Sequence, residues 1–125
     1  MNKKILLIVI IVIILAGAAA LAFWKFGTPQ QQQGSEIIYF YGEGCPHCAN
    51  VDTFMQDNKI EDKVSFEKKE VFNNATNAEE LTRTAQQCGL PADQVGVPLL
   101  YDGSDSKCYV GDVDVINFFK QELGI

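Results

Sequence analysis

Cys45-Pro46-His47-Cys48 is the segment of this chain with the means to do chemistry. Two cysteines three apart share one face when the segment is helical, so their sulfurs can close a disulfide and reopen it. Pro46 suits the first turn of a helix, where its missing N–H is no loss. A helix start offers free N–H groups and the positive end of the helix dipole, which favours a thiolate at Cys45. Cys48 lies one turn further in and is expected to be more buried, with an ordinary or raised pKa. His47, the only histidine, can add a positive charge or an N–H donor beside Cys45. That combination suits reversible thiol–disulfide exchange, with Cys45 as nucleophile and Cys48 as resolving thiol.

The flanking sequence supplies elements that can position the pair. Ile37-Ile38-Tyr39-Phe40-Tyr41 is a continuous β-branched and aromatic run, as in a central strand buried on both faces. Gly42-Glu43-Gly44 breaks it, and residues 45–59 turn helical with Val51, Phe54 and Met55 on one face. Val64, Phe66 and Val71 suggest a second strand near an edge, with Glu67-Lys68-Lys69-Glu70 read as a solvated face. Residues 74–88 form a second helix, with Thr76 and Glu79 as its capping box and Gly89 as its stop. Residues 97–101 and 107–110 are two strands of a hairpin around the turn at 102–105. Gly111-Asp112 opens a last helix with Val113, Ile116, Phe118, Phe119 and Leu123 toward the core. The order is β-α-β-α-β-β-α. A helix between the first two strands makes them parallel, and the closing hairpin is antiparallel, so the sheet is mixed.

These residues carry a resemblance. The strand, the Cys45-Pro46-His47-Cys48 helix start and the later Gly96-Val97-Pro98 before a strand resemble the thioredoxin superfamily over about 90 residues. The compact element order is similar to glutaredoxins, and the Pro-His pair between the cysteines to periplasmic disulfide oxidases. The resemblance implies a thioredoxin-like α/β fold with a four-stranded sheet and protein thiol–disulfide oxidoreductase activity. It implies a redox-active Cys45–Cys48 disulfide and a cis Pro98 packed against it. It gives Val97 backbone hydrogen bonds to a bound thiol substrate. No dissociable cofactor and no metal are implied. Gly111-Asp112 resembles the glycine-aspartate turn that holds glutathione in glutaredoxins. The chain departs from the family in its first strand, which has no acidic residue, so no acceptor is assigned for the Cys48 proton. The large helical insertion of the disulfide oxidases is also missing. The direction rests on how well the Cys45 thiolate is stabilised. A shift of about 4 pKa units is worth roughly 5–6 kcal/mol. The spread between reducing and oxidising members is about 150 mV, or roughly 7 kcal/mol. His47 pushes toward an oxidase or isomerase rather than a reductase.

Other readings use the same residues. Cys45 and Cys48 could form half of a zinc or copper site, completed by His47, Cys88 or Cys108, in a metal-binding module or metallochaperone. They could also form a purely structural disulfide, although so tight a loop adds little stability. Cys88 and Cys108 can form a second disulfide, stay as buried free thiols, or relay electrons to the first pair.

The 125 residues hold one small domain beyond their N-terminal part. Residues 1–4 are a short positive start. Residues 5–24 are uncharged and almost wholly apolar, and as a helix they span roughly 30 Å, the thickness of a bilayer core. The lysine asymmetry sets residues 1–4 in the cytoplasm and the rest outside. This segment reads as a single-pass signal-anchor in the cell membrane, or as a cleaved signal peptide of a secreted protein. Both place the domain outside the cytoplasm, where disulfides persist. Residues 25–35 are a flexible linker with a reach of roughly 15–20 Å. Residues 36–125 hold all 16 acidic residues but only seven of the ten basic ones, a net charge of −9. That excess excludes nucleic acid as a partner. The partners expected are protein thiols and disulfides, with a membrane-embedded protein recycling the redox pair, and the chain itself is expected to be a monomer.

Overall fold

A computed structural model describes residues 2–8, 10, 12–13 and 37–125. The chain divides into two units, residues 1–33 and residues 34–125. In the first, residues 3–8 are helical and exposed. Among the described residues no helix is long and apolar enough to cross a membrane. Most of the expected span at 5–24, and the whole linker at 25–35, lie outside the described residues.

The second unit contains β1 (Ile37–Tyr41), α1 (Pro46–Asn58), β2 (Glu67–Glu70), α2 (Ala75–Gln87), β3 (Leu99–Asp102), β4 (Lys107–Val110) and α3 (Asp112–Leu123). Element order and mixed sheet are those the sequence implied. The strands lie in the order β2-β1-β3-β4. β1 pairs in parallel with β2 and antiparallel with β3, and β3 antiparallel with β4.

Alternation along β1 builds a core on each face of the sheet. Tyr39 packs on one side with Val51 and Met55 of α1, Leu100 of β3, and Val115, Phe118 and Phe119 of α3. Phe40 packs on the other with Val71, Leu81 and Ala85 of α2, and Leu99. The helix that carries the cysteines therefore packs beside the last helix on one face of the sheet.

Three local expectations are corrected. β2 consists of Glu67-Lys68-Lys69-Glu70 and not of the apolar residues around it. Its ladder with β1 needs only backbone groups, and its lysines are matched by acids. Lys68 reaches Asp52 at 3.4 Å and Glu61 at 3.3 Å, and Lys69 meets Glu80 at 2.6 Å. The cap of α2 is Asn74, whose side chain accepts from Asn77 N at 3.1 Å, so the helix begins at Ala75 and Thr76 already lies inside it. In α3 the core residue is Val115, while Val113 is exposed. At 3.6 residues per turn, Val113 falls opposite the face shared by Val115, Phe118 and Phe119.

Candidate redox site

The turn after β1 delivers Cys45 as the cap of α1. Gly44 takes a positive φ of 76°, which favours glycine, and Cys45 N donates to Gly42 O at 3.2 Å. Cys45 is extended, with φ −75° and ψ 118°, and Pro46 follows in the first turn. The Cys45 sulfur then does what a cap side chain does: it accepts the Cys48 backbone N–H at 3.2 Å. Charge on that sulfur meets a donor and the helix dipole together.

Cys45 and Cys48 are both free thiols here, so the structure holds the reduced form of the expected redox pair. Cys45 is partly exposed, and Cys48 is only 2% exposed. Burial, then the hydrogen bond with Cys45, pushes the Cys48 thiol up to about 12. The asymmetry suits one attacking and one waiting sulfur.

Val97 and Pro98 lie in the loop that faces Cys45. The Val97–Pro98 bond is cis. The Cys45 thiol donates a long hydrogen bond of 3.7 Å to Val97 O. Pro98 is fully buried just before β3, and its carbonyl accepts Gly111 N at 2.9 Å, which joins the start of α3 to this loop.

His47 pairs with the start of the last helix. Its Nδ1 lies 3.2 Å from Asp112 Oδ1, so the ring turns to the last helix, and the hydrogen bonds of the Cys45 sulfur run to Cys48 N and Val97 O. The second oxygen of Asp112 accepts Asn50 Nδ2 at 2.6 Å. Asn50 first, then His47, holds the Asp112 carboxyl below its usual range.

Two residues near Cys48 were not singled out from the sequence. Tyr39 is 0% exposed, and among the described residues its hydroxyl is the buried side-chain oxygen or nitrogen without a hydrogen-bond partner. Burial raises its phenol above the ordinary range, reinforced by Cys48, Asp52 and Cys45. Asp52 stands one turn after Cys48, paired with Lys68. It lines, together with Tyr41, Gly42, Cys45 and Cys48, an open cleft of about 380 Å³. Asp52 was legible as the acid four residues beyond Cys48, on the helix and not on the strand where an acid was sought. Tyr39 carried no signal, because a tyrosine in an apolar run reads as packing.

Cys88 and Cys108 form a disulfide with Cα atoms 5.9 Å apart, joining the end of α2 to β4. Neither is therefore free to complete a metal site with Cys45 and Cys48. Among the described residues no three or more His, Cys, Asp or Glu side chains come together as a metal site.

No family model and no curated protein matches the chain. Among solved structures, a wheat glutaredoxin is similar at 18% identity and a TM-score of 0.47, covering 70% of this chain and 81% of its own. The oxidized glutaredoxin 2 of Chlamydomonas reinhardtii is similar at 18% identity and a TM-score of 0.48, covering 72% of this chain and 83% of its own.

Proposed function

We propose that this chain is a protein thiol–disulfide oxidoreductase working through Cys45 and Cys48. The observation that carries the reading is the sulfur pair itself. Cys45 caps a helix with its sulfur on a backbone N–H, and Cys48 lies buried one turn beneath it.

In the oxidising direction a substrate thiolate attacks the Cys45 sulfur of the Cys45–Cys48 disulfide. The S–S bond breaks, its electron pair leaves on Cys48, and Cys48 takes up a proton. The second substrate thiolate then attacks the substrate sulfur of the mixed disulfide. The substrate leaves oxidised, and Cys45 departs as a thiolate held by the Cys48 N–H. If Cys48 attacks the mixed disulfide instead, its thiol must first lose its proton. Asp52, four residues further along the same helix and lining the same cleft, is the group that can accept that proton, and the Tyr39 hydroxyl can donate to the thiolate formed.

The direction proposed is oxidase or isomerase, supported by the cap geometry that stabilises charge on Cys45. An extracytoplasmic location, with residues 5–24 as anchor, is supported by the apolar sequence and by the Cys88–Cys108 disulfide, a bond suited to oxidising compartments. Substrate proteins bearing thiols or disulfides, and a membrane-embedded recycling partner, complete the proposal.

The test is the reduction potential of Cys45–Cys48 against glutathione in the full chain with Cys88→Ala and Cys108→Ala. A value of about −120 to −180 mV supports the oxidase or isomerase. A value near or below about −250 mV makes the chain a reductase. A pair that never equilibrates with glutathione overturns the redox reading and brings forward a metal-binding module using the same cysteines.

A further inference from the structure

We infer that Asp112 is a positioning residue that sets the redox poise of Cys45–Cys48 by holding the His47 ring away from the Cys45 sulfur. This rests on the redox reading of the site. His47 is the only histidine in the chain and sits two residues after Cys45, in the first turn of α1. An imidazolium there has two anions within reach, a Cys45 thiolate and the Asp112 carboxylate. In the structure the His47 ring lies against the carboxylate, with Nδ1 3.2 Å from Asp112 Oδ1.

The carboxylate is fixed from both sides. Its other oxygen accepts Asn50 Nδ2 at 2.6 Å, so one carboxylate spans two residues of α1 three apart. Its backbone is fixed as well, because Gly111 N donates to Pro98 O at 2.9 Å and Val115 N to Gly111 O at 3.1 Å. The start of α3 thus approaches the redox pair through the same loop that presents Val97 O to Cys45. Asp112 is therefore a built-in competitor for the positive charge of His47.

The sign follows from the charges. Stabilising the Cys45 thiolate favours the reduced protein and makes its disulfide a stronger oxidant. Asp112 draws His47 off that thiolate and so makes the disulfide a weaker one. Asp112→Asn keeps the shape and an acceptor for Asn50, but releases the imidazolium. The His47 side chain is 70% exposed, so solvent keeps the effect modest.

The experiment reads two quantities in the full chain: the fraction of Cys45 present as thiolate at neutral pH, by ultraviolet absorbance, and the equilibrium with glutathione. Asp112→Asn is expected to raise the thiolate fraction. It is expected to shift the equilibrium toward the reduced protein by about threefold to tenfold, or about 15 to 30 mV. Asn50→Ala, which loosens the carboxylate without removing its charge, shifts both the same way by less. Asp112→Glu stays nearer the wild type. In a His47→Gln background the effect of Asp112→Asn falls to less than half on a logarithmic scale, since no ring is left to release. An Asp112→Asn protein indistinguishable from wild type overturns the inference. So does an equal shift with and without His47, which makes Asp112 a bare charge acting directly on Cys45. A wild-type pair that never equilibrates with glutathione sinks the redox function instead, and the thiolate fraction still decides whether Asp112 controls His47.

Discussion

Cys48 and Tyr39 share a buried corner in which neither carries charge easily. The thiol of Cys48 is raised to about 12 from an ordinary 9.0, chiefly by burial. A thiol that ionises more readily unfolded than folded takes stability away as pH rises. The contribution of neutral Cys48 is complete below about pH 9 and is lost progressively toward pH 12. Urea titrations of the reduced protein should therefore show falling stability across that window. The oxidised protein, whose Cys48 cannot titrate, should lack this loss. Tyr39 offers a second check. Its hydroxyl has no geometrically sound hydrogen bond and only the weak-accepting Cys48 thiol beside it, so Tyr39→Phe should change stability by no more than about 1 kcal/mol. The same variant should slow release of a mixed disulfide on Cys45 by Cys48, as should Asp52→Asn, both followed by rapid quenching. A Tyr39→Phe protein that loses several kcal/mol would show that the hydroxyl is bonded after all. Cysteine spacing made the redox pair legible. Of the groups around Cys48, Asp52 was legible from its spacing on the helix, whereas Tyr39 was not, because a tyrosine in an apolar strand looks like packing until the fold sets it against Cys48.

At the scale of elements, periodicity located what was apolar and missed what was charged. β1 and its two-sided burial followed from five consecutive β-branched and aromatic residues. β2 gave no alternation of apolar and polar residues, since its identity as a strand comes from the backbone of β1 beside it. The cap of α2 illustrates a nearer contest. Asn74 and Thr76 are both able caps, and the choice falls to the residue with extended backbone, φ −126° and ψ 101°. Asn74→Ala should accordingly lower stability by about 1 kcal/mol, while Thr76→Ala, inside the helix, should change it by no more than about 0.5 kcal/mol. Chemical denaturation of the two variants distinguishes these, and the reverse ranking would restore the Thr76 cap. In α3 the periodic signal placed Ile116, Phe118, Phe119 and Leu123 on the core side and failed only in the first turn. Val113 and Val115 are equally apolar, and the packing of Tyr109 against Phe118, with ring centres 4.9 Å apart, belongs to the face that includes Val115.

For the molecule as a whole, the connection of β-α-β-α-β-β-α was legible because every element was bounded by glycine, proline or a polar turn. The Cys88–Cys108 pairing was legible only as one option among three, since spacing cannot bring a helix end to a strand. That bond closes a separation of 20 residues. Replacing both cysteines by alanine should lower stability by about 3 kcal/mol in the chain-entropy estimate and leave glutathione exchange at Cys45–Cys48 in place. Loss of that exchange in a variant that remains folded would instead mark the second pair as an electron relay. The order of strands has a further consequence at the margins of the sheet. β2 forms one margin with an unbroken run of charges, Glu67 to Glu70, and β4 forms the other with Lys107-Cys108-Tyr109-Val110. A stray strand laid against β2 would have to bring side chains against that row of charges, whereas β4 presents a single charge, Lys107, and then Cys108, Tyr109 and Val110. A sheet with one guarded and one permissive margin can pair with a copy of itself but has no second open margin for a third, so misassociation through the sheet edges should stop at two molecules and not grow into fibres.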